Sequence, residues 1–204
     1  MSLGNSITTF KNALADALVG ARGAPGIKVE AVDQITSNLR RVTDGGSELV
    51  CGDSQFPSSV AQHLERAIEL ASLSDTDGSK AVLIDAFQRM VPWLPWYSRK
   101  NARQQCFEDG HANAEILGGQ GIERRSDVTV GVTVIAPNLT YPDHHHPPEE
   151  VYLVLSQGSW RQDANPWQAP GFAGYIYNPP NIVHAMKSAE TPLLAIWCLN
   201  PMAA

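Results

Sequence analysis

The 204-residue sequence predicts a mainly β protein with added helix: a helical region over about the first 95 residues, then a sandwich or jelly-roll barrel of short strands. Two observations carry this. The apolar period changes from 3.6 residues to 2 near residue 100. In the second half, apolar runs are short and end on clusters of Gly, Pro and Asn.

In the first half, Ile7, Phe10, Leu14 and Leu18 fall on one helical face, with Gly20 and Gly23 near its end. Val29, Val32, Ile35, Leu39 and Val42 repeat the pattern and stop at Asp44-Gly45-Gly46. A third helix is expected through Val60, Leu64, Ala67, Ile68 and Ala71. Pro57 suits its opening turn, where a missing N–H costs nothing. A fourth carries Val82, Leu83, Phe87, Met90 and Val91 and ends at Pro92. His63, in the third helix, reads as an ordinary surface or packed side chain. The unit boundary is placed at 96/97, giving a helical extension packed on the barrel (1–96) and the barrel itself (97–204).

In the second half, Val128, Val130, Val132 and Val134 alternate with Thr129, Gly131 and Thr133, as in a strand facing a core on one side. Val151–Leu155, Gly174–Tyr177 and Leu193–Leu199 read as further strands. Ser156-Gln157-Gly158 ends the first of these and Asn178-Pro179-Pro180-Asn181 the second.

Composition narrows the functional classes. Hydrophobic residues make up 43% and charged residues 18%, which suits a folded globular protein. The net charge is −6, and the one basic pair, Arg124-Arg125, is too short for a nucleic-acid footprint. Cys51, Cys106 and Cys198 are odd in number and far apart, so reduced thiols and a cytoplasmic location are expected. No apolar run is long enough for a membrane span, and the N-terminus lacks the basic flank and apolar block of a signal peptide. The spare apolar helical face would serve a homodimer or cover the barrel mouth.

Four of the six histidines lie between residues 144 and 184. Side chains alternate on an extended chain, so His144 and His146 share a face while His145 points away. Glu150 and Tyr152 share a face of the next strand. Such polar groups inside a barrel are costly unless a cation satisfies them, and His184 closes the set after its Gly/Pro/Asn turn. Three imidazoles and a carboxylate suit one zinc, iron, manganese or nickel ion, rather than magnesium or calcium.

His144-x-His146-xxx-Glu150 with Gly158 resembles the first cupin motif, and Gly174…Pro179-x-Asn181-xx-His184 the second. The second departs from the pattern: Asn181 replaces the usual Gly, and no Asn follows the last His. Within the cupins, the block from Tyr141 to Tyr152, His184 and the helical first half resemble the bacterial dimethylsulfoniopropionate lyases. The resemblance implies a carbon–sulfur lyase that splits a small zwitterionic sulfonium carboxylate to dimethyl sulfide and acrylate by β-elimination. It implicates Tyr152 and Tyr141 in catalysis, with Tyr152 the expected base and a metal on the substrate carboxylate. Trp160, Tyr177 and Trp197 are candidate contacts for the sulfonium, since aromatic faces attract cations. The same ligand set would also serve a cupin dioxygenase, an isomerase or a non-catalytic binding module. Cys106 and Cys198 have no evident base partner as nucleophiles.

Overall fold

A computed structural model describes residues 2–41, 58–100 and 105–201. Val42, the Asp44-Gly45-Gly46 stop, Cys51 and Pro57 lie outside the described residues. Four helices come first: α1 (Leu3–Val19), α2 (Val29–Arg40), α3 (Ser58–Ser74) and α4 (Ala81–Met90). The Ser2 hydroxyl caps α1 by accepting from the Asn5 N–H. A 3-10 turn, Gly20–Gly23, follows α1 where the glycines fall. Pro92 sits in a second such turn, Val91–Trp93, directly after α4. Among the described residues no helix is long and apolar enough to cross a membrane.

The second half contains β1 (Trp96–Tyr97), a short α5 (Gln105–Asp109), and then β2 (His111–Gly118), β3 (Glu123–Arg124), β4 (Thr129–Ile135), β5 (Thr140–His144) and β6 (Glu150–Val154). After them come β7 (Gly158–Gln162), β8 (Tyr175–Asn178), β9 (His184–Ser188) and β10 (Leu193–Leu199). The larger sheet runs β1-β2-β4-β10-β6-β8, with β3 added parallel to β2. The smaller runs β5-β9-β7. The expected helices-then-jelly-roll class is present.

Two apolar clusters explain the layering. In one, Phe10, Leu14, Ile35 and Phe87 of the helices meet Val130, Val132, Val134, Leu153 and Ile196 of the larger sheet. In the other, Tyr141, Tyr152, Trp160, Met186 and Trp197 fill the space between the sheets. Each such side chain withdrawn from water contributes roughly 1.5–3 kcal/mol. The apolar faces of the helices thus pack on the back of the larger sheet, while Leu73, Val82 and Trp93 stay exposed.

This corrects the expectation for β4, which has buried residues on both faces. Its valines turn outward to the helices. Gly131 and Thr133 turn inward, where the pattern alone suggested solvent. Gly131 lies opposite Trp197 in the β4–β10 ladder, and a Cβ there would strike the indole ring. A glycine in mid-strand is thus explained by close approach of a ring.

Candidate metal centre and active site

His146, Glu150 and His184 bring one ligand atom each within 4.8 Å of one another. Glu150 opens β6, in the larger sheet, and His184 opens β9, in the smaller one. The loop 145–149 delivers His146 beside them. Glu150 Oε2 lies 3.3 Å from His146 Nε2 and 3.4 Å from His184 Nε2. Glu150 and His184 are almost fully buried and His146 largely so.

The hydrogen-bond partners settle the tautomers. His146 Nδ1 lies 2.9 Å from the Pro148 carbonyl, and His184 Nδ1 3.0 Å from that of Ile182. A carbonyl oxygen only accepts, so each Nδ1 carries its proton and each Nε2 turns a lone pair inward. Both Nε2 atoms are buried without a hydrogen-bond partner. One proton could serve one imidazole beside Glu150, but not both; a cation serves all three groups. Two ligand atoms each about 2 Å from a shared tetrahedral ion stand about 3.3 Å apart. The residues present fit a transition metal on both counts.

Electrostatics agree with a site built around charge. Burial works to lower the His146 pKa, but the Glu150 carboxylate 3.3 Å away outweighs it and raises it. The His184 pKa is lowered, chiefly by burial. Burial pushes against ionised Glu150, yet the adjacent imidazoles and Asn178 hold its pKa below the usual value.

His144 stands beside the triad, outside that cluster. Its ring centre is 4.1 Å from that of His184 and 6.4 Å from that of His146. Its Nδ1 bonds the Pro142 carbonyl at 2.9 Å, so its Nε2 is also unprotonated. Burial and His184 push its pKa down to about 4. His145 is exposed, as strand parity predicts. Asn181 has φ 61°, a left-handed conformation that Asn tolerates better than most residues. That explains how it stands where the second cupin motif has Gly.

Both tyrosines reach the same cavity. Tyr141 and His144 are three apart and should face opposite sides of β5. A register shift in the β5–β9 ladder between them, of the kind a bulge makes, turns both inward. The cavity is lined by Tyr141, Tyr152, His144, His146 and Glu150, with Trp197, Tyr97, Arg99, Asn113 and Thr133 among the others. Burial pushes the Tyr141 phenol up to about 12, with Arg99 opposing it. Burial, and then the Glu150 charge, raise Tyr152 well above the ordinary phenol value.

Of the aromatic candidates, Trp197 lines the cavity, and its Nε1 donates to Thr133 Oγ1 at 3.1 Å. Trp160 packs on Tyr152 with ring centres 5.8 Å apart. The structure does not bring Tyr177 to this cavity. It belongs to the outward row of β8, and its hydroxyl donates to Glu149 Oε2 at 2.8 Å, beside Lys28. Neighbouring Ile176 takes the inward position, so strand parity excludes Tyr177. Cys198 is buried, and burial raises its thiol pKa, opposite to a nucleophile's need.

The structure adds residues that sequence reasoning missed. Arg99 has no carboxylate partner among the described residues, and its backbone N–H donates to His111 Nε2 at 3.0 Å. His111 is fully buried, bonded through Nδ1 to the Phe107 carbonyl and stacked on the Phe107 ring. It thus anchors the Arg99 segment beside the cavity. The Asn113 Nδ2 is buried without a partner, while its Oδ1 accepts from Thr133.

The dimethylsulfoniopropionate lyase family matches residues 31–195. The chain belongs to that family. It is 27% identical over 131 residues to a putative dimethylsulfoniopropionate lyase, DddL, from Cereibacter sphaeroides, covering 64% of this chain and 54% of that protein. It is 29% identical over 82 residues to the lyase DddQ from Ruegeria pomeroyi, covering 39% of this chain and 41% of that protein. The chain therefore spans about half the length of these curated relatives. Among solved structures, a chain from the crystal structures of the lyases RdDddP and RnDddQII superposes with a TM-score of 0.67 at 19% identity, over 98% of this chain and 95% of that one. DddQ from Ruegeria pomeroyi DSS-3 follows at 0.63 and 20%, over 96% and 94%. At these identities the likeness establishes a shared fold. The two-sheet unit described above, with the helices before it, is the fold that this chain shares with them.

Proposed function

We propose that this chain is a metal-dependent lyase that splits dimethylsulfoniopropionate into dimethyl sulfide and acrylate. The observation that carries the reading is two buried phenols lining one cavity with His146 and Glu150, beside two buried imidazole nitrogens, of His146 and His184, that have no hydrogen-bond partner. Family membership supports the substrate. His146, Glu150 and His184 would hold one divalent transition metal (zinc, iron or manganese, with nickel also fitting), and His144, beside them, would be the candidate fourth ligand. When bound, such an ion supplies positive charge that stabilises the substrate carboxylate as it gains negative character and favours ionised phenol nearby.

Tyr152, as phenolate, takes the proton from the α-carbon. The electron pair of that C–H bond forms the new C=C bond, and the C–S pair leaves with dimethyl sulfide. Without added charge, burial keeps Tyr152 protonated, so the base is generated only in a charged, assembled site. Tyr141 donates to the substrate carboxylate, helped by the Asn113 amide and the Arg99 guanidinium. Arg99 also repels the sulfonium, which orients the zwitterion with its cationic end away. Trp197 offers that end aromatic surface, at roughly 0.5–2 kcal/mol for a well-placed ring, while Trp160 does not line the cavity and is buried against Tyr152.

The test is anaerobic incubation of metal-loaded protein with dimethylsulfoniopropionate. Dimethyl sulfide in the headspace and acrylate in solution should appear in equal amounts. Turnover only with oxygen would replace elimination by dioxygenation, and no turnover with any of these metals would overturn the proposal.

A further inference from the structure

Glu150 and His184 belong to different sheets, yet their ligand atoms must stay within a few tenths of an ångström of their places. Strand pairing does not link the two sheets at this level. β8 is the edge of the larger sheet and β7 the edge of the smaller one. A pair of side-chain amides crosses this seam. Asn178 of β8 is the ladder partner of Glu150, and Gln162 of β7 is the ladder partner of His184. Gln162 Nε2 donates to the Tyr177 carbonyl at 2.6 Å and to Asn178 Oδ1 at 2.8 Å. Asn178 Nδ2 in turn donates to Glu150 Oε2 at 2.8 Å.

The direction of this relay follows from its first member. The Tyr177 carbonyl can only accept, so Gln162 must turn its NH2 toward the seam. The Asn178 atom facing that NH2 must then be its oxygen. The Asn178 NH2 is left facing Glu150, and no other flip of the two amides satisfies all three contacts. Asn178 is fully buried, so a reversed amide would set two acceptors against each other out of water. The oxygen that receives this bond is Oε2, the same one that faces both imidazoles. One of its lone pairs is fixed by a neutral donor, and the other is held toward the triad.

We infer that Asn178 and Gln162 are positioning residues of the metal centre, holding the Glu150 carboxylate across the seam and setting the affinity for the ion. The inference rests on the metal-centre reading above. Hydrogen-bond partners of metal ligands typically change affinity by about 10–100-fold when removed.

The discriminating experiment is titration of the full-length metal-free protein with cobalt(II) against a competing chelator at pH 8, recording the d–d absorption. Asn178→Leu should weaken cobalt binding about 10–100-fold and alter the absorption. Gln162→Leu leaves the Asn178 amide unguided and should weaken it less. Gln162→Glu replaces the donor by an acceptor, which turns the Asn178 NH2 away from Glu150. The relay therefore requires Gln162→Glu to bind cobalt more weakly than Gln162→Leu. Simple attraction between an added negative charge and a cation requires the reverse order. Gln162 is only half-buried, so its two variants carry the test even if Asn178→Leu does not fold. Tighter binding by Gln162→Glu than by wild type overturns the relay. So does an unchanged affinity and spectrum in Asn178→Leu. Absence of cobalt binding by wild type would instead bring down the metal centre itself, and the relay with it.

Discussion

Tyr152 and Tyr141 share a cavity but not an environment. The Glu150 carboxylate is the next largest influence after burial on Tyr152, whereas Arg99 partly relieves Tyr141. The hydroxyl beside the ligand carboxylate is the one whose ionisation responds most to an added cation. Tyr152→Phe should keep the metal and bind substrate, and lose kcat by about 10²–10⁴-fold, as removal of a general base does. Tyr141→Phe should raise KM more than it lowers kcat. Steady-state kinetics on the two variants decides, and the opposite pattern would exchange the two roles. His144, His146 and Glu150 could be singled out because they fall within one short segment, and His184 because it follows a Gly/Pro/Asn turn. Arg99, Asn113, Gln162 and Asn178 were not, because such residues are common and their partners lie far along the chain. Asn178 was read as turn punctuation, although its side chain is buried against Glu150. Tyr177 failed for a related reason: a strand tyrosine has two faces to choose from, and here α2's neighbour Lys28 and Glu149 hold the outward one.

Among the elements, the apolar strands β4, β6, β8 and β10 were readable, whereas β2, although the longest, and the short polar strands were not. β5, β7 and β9 carry Asp, Arg, Gln and Lys, and each has one face toward the inter-sheet space and one toward solvent. Their pattern is therefore broken by the site itself. The attachment of the helices to the barrel was equally hidden. Lys11 of α1 pairs with Glu123 of β3 at 2.9 Å, and Glu123 with Arg125 at 3.2 Å. Arg125 also pairs with Asp127 at 2.8 Å and donates to the carbonyl of Asn38 in α2 at 2.8 Å. Arg125 and Glu123 are almost wholly buried. Removing one member of such a group leaves a buried charge uncompensated, at about 3–5 kcal/mol. Arg125→Leu should lower unfolding stability in urea by that order. Arg22→Ala, which breaks an exposed pair with Asp33, should cost less than about 1 kcal/mol. Equal effects would show that the buried group contributes no more than a surface pair.

At the scale of the whole molecule, the two cores serve different ends: one fastens the helices to the barrel, and the other tolerates buried polar groups around a cavity. That tolerance has a pH signature in the metal-free protein. Burial lowers the pKa of His111, of His144 (to about 4, with His184 adding to it) and of His184. The unfolded value is about 6.5. Between the folded and unfolded values the unfolded chain binds more protons, so stability is full above about pH 6.5 and falls as pH drops toward the folded values. His144 alone accounts for on the order of 3 kcal/mol across that window. His146 has the opposite sign, because its pKa is raised; its contribution is present below about pH 6.5 and is lost as pH rises through the folded value. Three histidines against one make the net slope an acid destabilisation. Urea midpoints of metal-free protein should therefore fall from pH 7 to pH 4.5, and less steeply in His144→Gln. A flat or rising profile would show that these imidazoles are not held neutral by the fold. Saturating zinc should raise the midpoint at pH 7 and add less at pH 4.5, because His146, whose pKa is raised, must shed its proton before it can bind a metal.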